Sequence, residues 1–163
     1  MESGRRRITV GALAAVNPNG SVLIPGTDAF WAWPLEREAE FGGKRPKGPP
    51  EDLDWTFPTE ARANTTLAIV ATDAALTQAQ AQRVAIMAQD GIARAIRPVH
   101  TTLDGDVVFS LSTGVQPLAD PTADVARIGM LAADCVARAI ARGVYEAKTL
   151  GPFPSYRDRH GLI

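Results

Sequence analysis

The feature that most constrains the fold is the long segment 20–63, in which no hydrophobic period persists. All three tryptophans fall in this segment, together with six of the 12 prolines: Pro25, Pro34, Pro46, Pro49, Pro50 and Pro58. An irregular segment of this length is uncommon inside a compact domain, because most connections between regular elements are short. The helices and strands must therefore form mainly from the residues outside this segment of the 163-residue chain.

Outside that segment, strand and helix patterns alternate. Apolar, β-branched runs predict strands over 8–16, 67–72 and 107–111. The second run is continuously apolar, so that strand is expected to be covered on both faces. Helical spacing predicts one helix with Thr77 as N-cap, stopped by Pro98, and another opened by Asp120 and Pro121 and ended by Gly143. A short helix is expected over 34–38, and 151–163 is expected to be a polar tail. This order predicts an α/β layer.

Three strands make a poor sheet by themselves. Together with the long irregular segment, the small number of strands predicts that this chain needs strands from elsewhere. The expected sources are a missing N-terminal part, a partner chain, or further copies of the chain.

Composition excludes several classes of function. A net charge of −1 with 45% hydrophobic residues indicates a globular protein and argues against nucleic acid or an acidic membrane as partner. Cys135 is the single cysteine and cannot form an internal disulfide, which favours a reducing compartment. No signal peptide or membrane-spanning run is evident, so a cytoplasmic location is expected.

The junction between Asn64 and Thr65 suggests a nucleophile. A threonine hydroxyl needs an adjacent base, and its own α-amine can serve once the preceding peptide bond is cut. Cleavage between Asn64 and Thr65 would therefore create an N-terminal nucleophile at the start of a strand. The alternative from these residues alone is an ordinary strand start, with Asn64 as a turn residue.

Three polar groups fall at strand ends, where catalytic side chains can converge with Thr65. Asn17 follows the first strand and would offer an amide N–H to a developing oxyanion, or orient the nucleophile. Asp104 and Asp106 precede the third strand and would position the amine and hydroxyl of Thr65. The alternatives are that Asn17 is a turn residue, that Asp104-Gly105 is a turn dipeptide, or that the two aspartates hold Mg²⁺.

Metals and cofactors are not expected. The two histidines, His100 and His160, lack cysteine or spaced carboxylate partners of the zinc type. The isolated Asp-x-Asp pair is weak support for a magnesium site.

The same segments resemble a known family. Residues 8–17 (ITVGALAAVN) and 64–74 (NTTLAIVATDA) are similar to the self-processing aminopeptidase/amidohydrolase family, which includes the L-aminopeptidase/D-esterase and β-peptidyl aminopeptidases. The junction at Asn64, residues 30–34 (FWAWP) and residues 100–106 (HTTLDGD) resemble its nylon-oligomer hydrolase branch. Members of the aminopeptidase type usually carry serine where this chain has Thr65.

The resemblance implies a four-layer α-β-β-α sandwich, incomplete in this chain. It implies self-cleavage between Asn64 and Thr65, so that 1–64 is the C-terminal part of an α chain and 65–163 is a β chain. The implied catalytic residues are Thr65, Asn17, Asp104 and Asp106. A catalytic lysine and a tyrosine would belong to the missing N-terminal half, and αβ units would assemble into a homo-oligomer.

The implied activity is hydrolysis of 6-aminohexanoate oligomers or related linear amides and peptides, without a cofactor. Two alternatives stay open: a catalytically incomplete fragment or scaffold subunit, and an aminopeptidase or acyltransferase of the same fold. The aromatic side chains of the irregular segment either line a groove for an apolar chain or form a small core or subunit contact. They are Phe30, Trp31, Trp33, Trp55 and Phe57.

Overall fold

A computed structural model describes residues 7–50, 53–54 and 64–161. Trp55 and Phe57 lie outside the described residues. The described elements, in chain order, are β1 (Val10–Asn17), a 3-10 turn (Trp33–Leu35), β2 (Thr65–Ala74), α1 (Gln78–Ala95), β3 (Val107–Gln116), α2 (Pro121–Glu146) and α3 (Tyr156–Arg159). The predicted mixed α/β architecture is confirmed.

The described strands form one sheet in the order β1-β2-β3. β1 runs antiparallel to β2, with Asn17 paired to Thr65, and β2 runs parallel to β3, with Leu67 paired to Val107. A parallel pair needs a crossover connection, which α1 supplies. This topology brings the end of β1 and the starts of β2 and β3 to one edge of the sheet.

The helices begin where the sequence predicts. The Thr77 hydroxyl oxygen accepts the Gln80 N–H, and the Gln80 side-chain oxygen accepts the Thr77 N–H, which completes a capping box at the start of α1. The Asp120 side chain caps α2 by accepting the N–H groups of Thr122 and Ala123. α1 ends before Pro98 as expected. The predicted end of α2 at Gly143 is wrong, since Val144 and Tyr145 continue the apolar stripe onto the core. That burial outweighs a glycine cost of about 1 kcal/mol.

β2 and β3 are longer than their predicted apolar runs, whereas β1 begins at Val10 rather than Ile8 and ends at Asn17 rather than Val16. β2 starts at Thr65 rather than Leu67, and β3 continues to Gln116 rather than ending at Leu111. Backbone pairing does not depend on side-chain polarity, so hydroxyl residues at the ends join the ladder. The 3-10 turn at Trp33–Leu35 is shorter than the helix expected over 34–38.

The described helices cover one face of the sheet. Alternate β2 residues such as Ala68 and Val70 are buried beneath α1 and α2, where they pack with Val84, Ile92 and Val136. Within the described residues no element covers the opposite face, so the cover expected on both sides of β2 is not supplied by this part of the chain. We call this opposite face the open face; its large side chains are Leu13, Leu67, Ile69, Val107, Phe109 and Leu111.

The irregular segment and the C-terminal residues share a second part of the core. Phe30 packs edge-on against Phe41, and its ring lies 4.8 Å from that of Tyr156 in α3. The Tyr156 hydroxyl donates a hydrogen bond to the Asp28 carbonyl at 2.6 Å. The expected polar tail therefore contributes a short helix and a buried aromatic anchor. Within the described residues, no helix is long and apolar enough to cross a membrane.

Candidate active site

The predicted site residues meet at the edge where β1 ends and β2 and β3 begin. Asn17, the last residue of β1, is the register partner of Thr65, the first residue of β2. Asn64 forms a parallel bridge with Asp104, and Asp106 directly precedes β3. The structure thus brings together the residues that the sequence selects, while their catalytic roles remain predictions.

Two donors converge on the carbonyl oxygen of Asn64 in the uncut chain. The Thr65 hydroxyl donates to it with an oxygen–oxygen distance of 2.7 Å. The backbone N–H of Gly105 donates to the same oxygen at 2.9 Å. A carbonyl held by a backbone N–H is polarised toward nucleophilic attack, and the donor is already in place for the negative charge that attack would create.

Gly105 is close to Thr65 because it has no side chain. A Cβ built on Gly105 would lie 2.8 Å from Thr65 Oγ1, closer than real Cβ atoms approach a neighbour. From the sequence, Gly105 is predicted only as part of a turn dipeptide. The signal that could have found it is its place between two aspartates immediately before a strand, where backbone can approach a neighbouring chain closely.

Asp106 is held at both carboxylate oxygens. Oδ1 accepts the N–H of Thr66 at 2.8 Å, and Oδ2 lies 2.8 Å from Nδ1 of His100. The Asp106 side chain is only 3% exposed. Among the described hydrogen bonds, Asp106 therefore reaches the nucleophile region through the backbone N–H of Thr66. The sequence predicted a contact with the amine and hydroxyl of Thr65 instead.

Asp104 holds the loop that carries Gly105. Its Oδ1 accepts the N–H of Asn19 at 3.1 Å, and its Oδ2 accepts the N–H and hydroxyl of Thr101 at 2.9 and 2.6 Å. Burial raises the pKa of Asp104, but the Thr101 and Asn19 hydrogen bonds and the charge of His100 outweigh it, so the pKa is lowered overall. Asp104 is therefore a fixed carboxylate that ties the end of β1 to the start of β3.

Asn19, His100 and Thr101 were not identified as site residues from the sequence. Oδ1 of Asn19 accepts a 3.4 Å hydrogen bond from the Asn64 side chain, on the residue before the nucleophile. Asn19 is predicted by sequence only as part of a turn, and a lone histidine carries no signal of its carboxylate partner. Their contacts arise from chain segments far apart in sequence.

The aromatic residues named as substrate-binding lie in different surroundings. Phe30 is 1% exposed and belongs to the core, which favours the small-core alternative for this residue. Trp31 and Trp33 are half-buried, and guanidinium groups lie over both rings, from Arg97 and Arg45 respectively. Of these three described residues, only Trp31 and Trp33 keep surface that a substrate could contact.

Within the described part of the chain, no group of three or more histidine, cysteine, aspartate or glutamate residues is arranged to hold a metal ion. Both aspartates at the sheet edge are engaged by N–H and O–H donors. Their described contacts are those of hydrogen-bond acceptors that order backbone.

A strand-start threonine beside a polarised peptide carbonyl suits amide-bond chemistry, and the comparison with known proteins agrees. The model of Peptidase family S58 matches residues 1–155, and the chain belongs to this family of peptidases. An uncharacterized aminopeptidase of Mycobacterium tuberculosis is 42% identical over 168 residues, which cover 93% of this chain and 48% of the relative. A protein of the same description from Mycobacterium leprae is 41% identical over 170 residues, covering 96% and 45%.

The chain thus spans about half the length of the curated relatives that it matches. The family is that of a peptidase.

Proposed function

We propose that this chain is part of an amide hydrolase that uses Thr65 as its nucleophile after self-cleavage between Asn64 and Thr65. The observation that carries the proposal is the pair of hydrogen bonds at the Asn64 carbonyl oxygen, which accepts the Thr65 hydroxyl at 2.7 Å and the Gly105 N–H at 2.9 Å. Nucleophile, scissile carbonyl and oxyanion donor are therefore adjacent before any cleavage.

The self-cleavage step balances within these groups. Thr65 Oγ1 bonds to the carbonyl carbon of Asn64, and the charge that develops on the carbonyl oxygen is stabilised by the Gly105 N–H. The bond from that carbon to the Thr65 nitrogen then breaks, and the hydroxyl proton ends on the nitrogen as it becomes an amine. The resulting ester is hydrolysed by water, which leaves Thr65 at a new N-terminus.

The freed amine would then serve as the base for turnover. It takes the proton from Thr65 Oγ1 during attack on a substrate amide and returns it to the leaving amine. In this proposal Asn17, the register partner of Thr65 across the sheet, donates its side-chain amide or orients the nucleophile. Asp104 and Asp106 hold the backbone on either side of the site.

Linear oligoamides such as 6-aminohexanoate oligomers, cut internally, are the substrate class that we favour. The support is the likeness of the Asn64 junction and of residues 100–106 to the nylon-oligomer branch. A second candidate is an aminopeptidase that releases single N-terminal residues, which the description of the mycobacterial relatives favours.

We further propose that the active unit contains residues beyond this chain. The open face carries Leu13 and Phe109 at 71% and 59% exposure, and it adjoins Thr65 on the same side of β2. A second sheet from an N-terminal half would cover it, complete a four-layer sandwich and supply further catalytic groups. In this arrangement 1–64 ends an α chain, 65–163 forms a β chain, and αβ units assemble into an oligomer.

The test is an assay of the cleaved protein, with the N-terminal half supplied, on a 6-aminohexanoate oligomer and on a short peptide. Products are identified by mass spectrometry. Internal fragments from the oligomer support the proposal, whereas release of single N-terminal residues alone supports the aminopeptidase. Acyl transfer to an added amine without hydrolysis supports a transferase, and no turnover supports a scaffold.

Two variants accompany the assay. Thr65→Ala should abolish turnover, because no other group is proposed to attack the amide. Thr122→Ala, which removes an exposed threonine hydroxyl in the first turn of α2, is the matched control and should leave turnover unchanged. Turnover that persists in Thr65→Ala would mean that the nucleophile lies elsewhere.

A further inference from the structure

His100 makes a contact that the proposed mechanism does not use. Its Nδ1 lies 2.8 Å from Oδ2 of Asp106, whose side chain is 3% exposed, while the imidazole itself is 33% exposed. An imidazole at this distance donates an N–H to the carboxylate in its protonated form, and also in the neutral form that carries hydrogen on Nδ1. A nearly buried carboxylate thus has its second oxygen satisfied by a side chain at the protein surface.

The other oxygen of Asp106 reaches the backbone next to the nucleophile. It accepts the N–H of Thr66 at 2.8 Å, and Thr66 is fully buried. Two hydrogen bonds in series therefore connect the His100 imidazole to the peptide unit that follows Thr65. Thr65 Oγ1 in turn bonds the Asn64 carbonyl on the other side of the same residue.

The backbone at His100 fits this task. Its φ of 54° lies in the left-handed region, which non-glycine residues other than Asn, Asp and His rarely adopt. The following turn is tied by Asp104, which accepts the N–H and hydroxyl of Thr101. The loop that carries Gly105 to the Asn64 carbonyl therefore also fixes the imidazole on Asp106.

We infer that His100 is a positioning residue for the Asn64–Thr65 bond, acting through Asp106 and the Thr66 N–H. This inference rests on the proposed function. With the imidazole gone, Oδ2 of Asp106 loses its described donor. A nearly buried carboxylate lacking a donor at one oxygen turns toward water, and the Thr66 N–H loses a fixed acceptor. Thr65 Oγ1 is then less strictly held at the Asn64 carbonyl.

Two substitutions at this position separate hydrogen bonding from general packing. H100A removes the donor. H100N keeps a donor at about the position of Nδ1, because the asparagine Nδ2 is likewise bonded to Cγ, and asparagine tolerates the left-handed backbone. His160→Asn is the matched control, since it alters the other histidine, whose ring lies 4.7 Å from that of Tyr156 and which has no described contact with Asp106.

The first readout is hydrogen exchange of individual amides, measured in a Thr65→Ala background so that all chains stay uncut. We expect the Thr66 amide to exchange about three- to tenfold faster in H100A. The Val70 amide, further along β2, should be unchanged, and H100N should restore protection at Thr66. Protection of Thr66 that is equal in H100A and the parent would overturn the inference, as would H100N exchanging as fast as H100A.

The second readout is the rate of cleavage after Asn64 in chains that keep Thr65, measured with the N-terminal half supplied. H100A should cut more slowly by a similar factor, and H100N and His160→Asn should cut at close to the parent rate. An unchanged rate in H100A would also overturn the inference. If the parent chain does not cut even with the N-terminal half supplied, the proposed function fails, and the exchange experiment still decides the role of His100.

Should H100A loosen the whole fold, its Val70 amide will also exchange faster. The comparison then moves to H100N and His100→Gln, whose amide nitrogen is displaced by one methylene from the position of Nδ1. Faster exchange at Thr66 in His100→Gln than in H100N, with Val70 equal in both, supports the inference. Equal exchange at Thr66 in the two variants contradicts it.

Discussion

The backbone N–H of Gly105 lies 2.9 Å from the carbonyl oxygen of Asn64. The loop before β3 thus touches the bond that we propose to be cut, on the oxygen where charge would develop. A Cβ at this position would lie 2.8 Å from Thr65 Oγ1, so any larger residue must displace that hydroxyl or the Gly105 backbone.

Gly105→Ala should therefore slow cleavage after Asn64 without unfolding the chain. The added methyl group displaces either Thr65 Oγ1 or the Gly105 N–H, and loss of one oxyanion donor costs about 10²–10³ in rate in other hydrolases. Intact-mass time courses measure the rate. Gly48→Ala is the matched control, since nothing lies within 4 Å of a Cβ there. Equal rates in the two variants would exclude Gly105 from the mechanism.

The contact between α1 and α2 depends on a second glycine. A Cβ on Gly91 would lie 2.2 Å from the carbonyl oxygen of Ala133, a backbone atom that cannot swing away. We expect Gly91→Ala to lower the free energy of unfolding by about 1–3 kcal/mol, as overpacking does. Urea unfolding followed by circular dichroism measures it.

Gly143→Ala in α2 provides the control with the opposite sign. The nearest atom to its added Cβ is Val16 Cγ2 at an ordinary 3.7 Å, and the residue is exposed within a helix. Gly143→Ala should raise the free energy of unfolding by about 0.5–1 kcal/mol. A destabilised Gly143→Ala, or a neutral Gly91→Ala, would contradict the described helix packing.

The open face should bind an apolar dye when the chain is alone. Anilinonaphthalene sulfonate fluorescence should rise with the wild-type chain and fall with Phe109→Lys, because Phe109 pairs with Ile69 and is 59% exposed on this apolar surface. Stability should change by no more than about 0.5 kcal/mol, since the side chain is exposed. Ile86→Lys, an equally drastic change at an exposed position of α1, should leave dye binding intact. Similar loss in both variants would argue against the open face as the site.

Asp104 should make stability depend on pH in the acid range. Its pKa is lower in the folded chain than the ordinary aspartate value of about 3.9, so its contribution is complete above that value. The contribution is then lost as pH falls through the lowered pKa. Asp104→Asn should be less stable than wild type at pH 7, and the difference should shrink below about pH 4. Thermal unfolding of both proteins between neutral and acid pH measures this difference in stability. A difference that stays constant with pH would contradict the prediction. Asp90→Asn, at an exposed position of α1, is the control.

Local signals predicted the elements and the strand ends that meet at the site. Thr77 and Asp120 are helix caps whose partners lie two or three residues away, so their roles are visible in the sequence. The end of α2 was not predictable in the same way. Whether Gly143 ends a helix depends on what Val144 and Tyr145 contact, and those contacts are long-range.

The site contacts made by Gly105 and His100 could not be derived from the sequence. Asn17, Thr65, Asp104 and Asp106 are recognisable as polar groups at strand ends. The contact of Gly105 with the Asn64 carbonyl depends on the register between β2 and β3, and the contact of His100 with Asp106 depends on the turn between them. Register fixes such contacts to within one residue, and a polar loop carries no periodic signal that specifies it.

The most direct test of Thr65 as nucleophile is the intact mass of the purified chain after incubation, alone and with the family's N-terminal half. We predict two products, residues 1–64 and residues 65–163, from the wild-type chain, and a single uncut chain from Thr65→Ala. A wild-type chain that stays whole even with the N-terminal half present would contradict the account. Cleavage at another bond, or equal cleavage of Thr65→Ala, would contradict it as well.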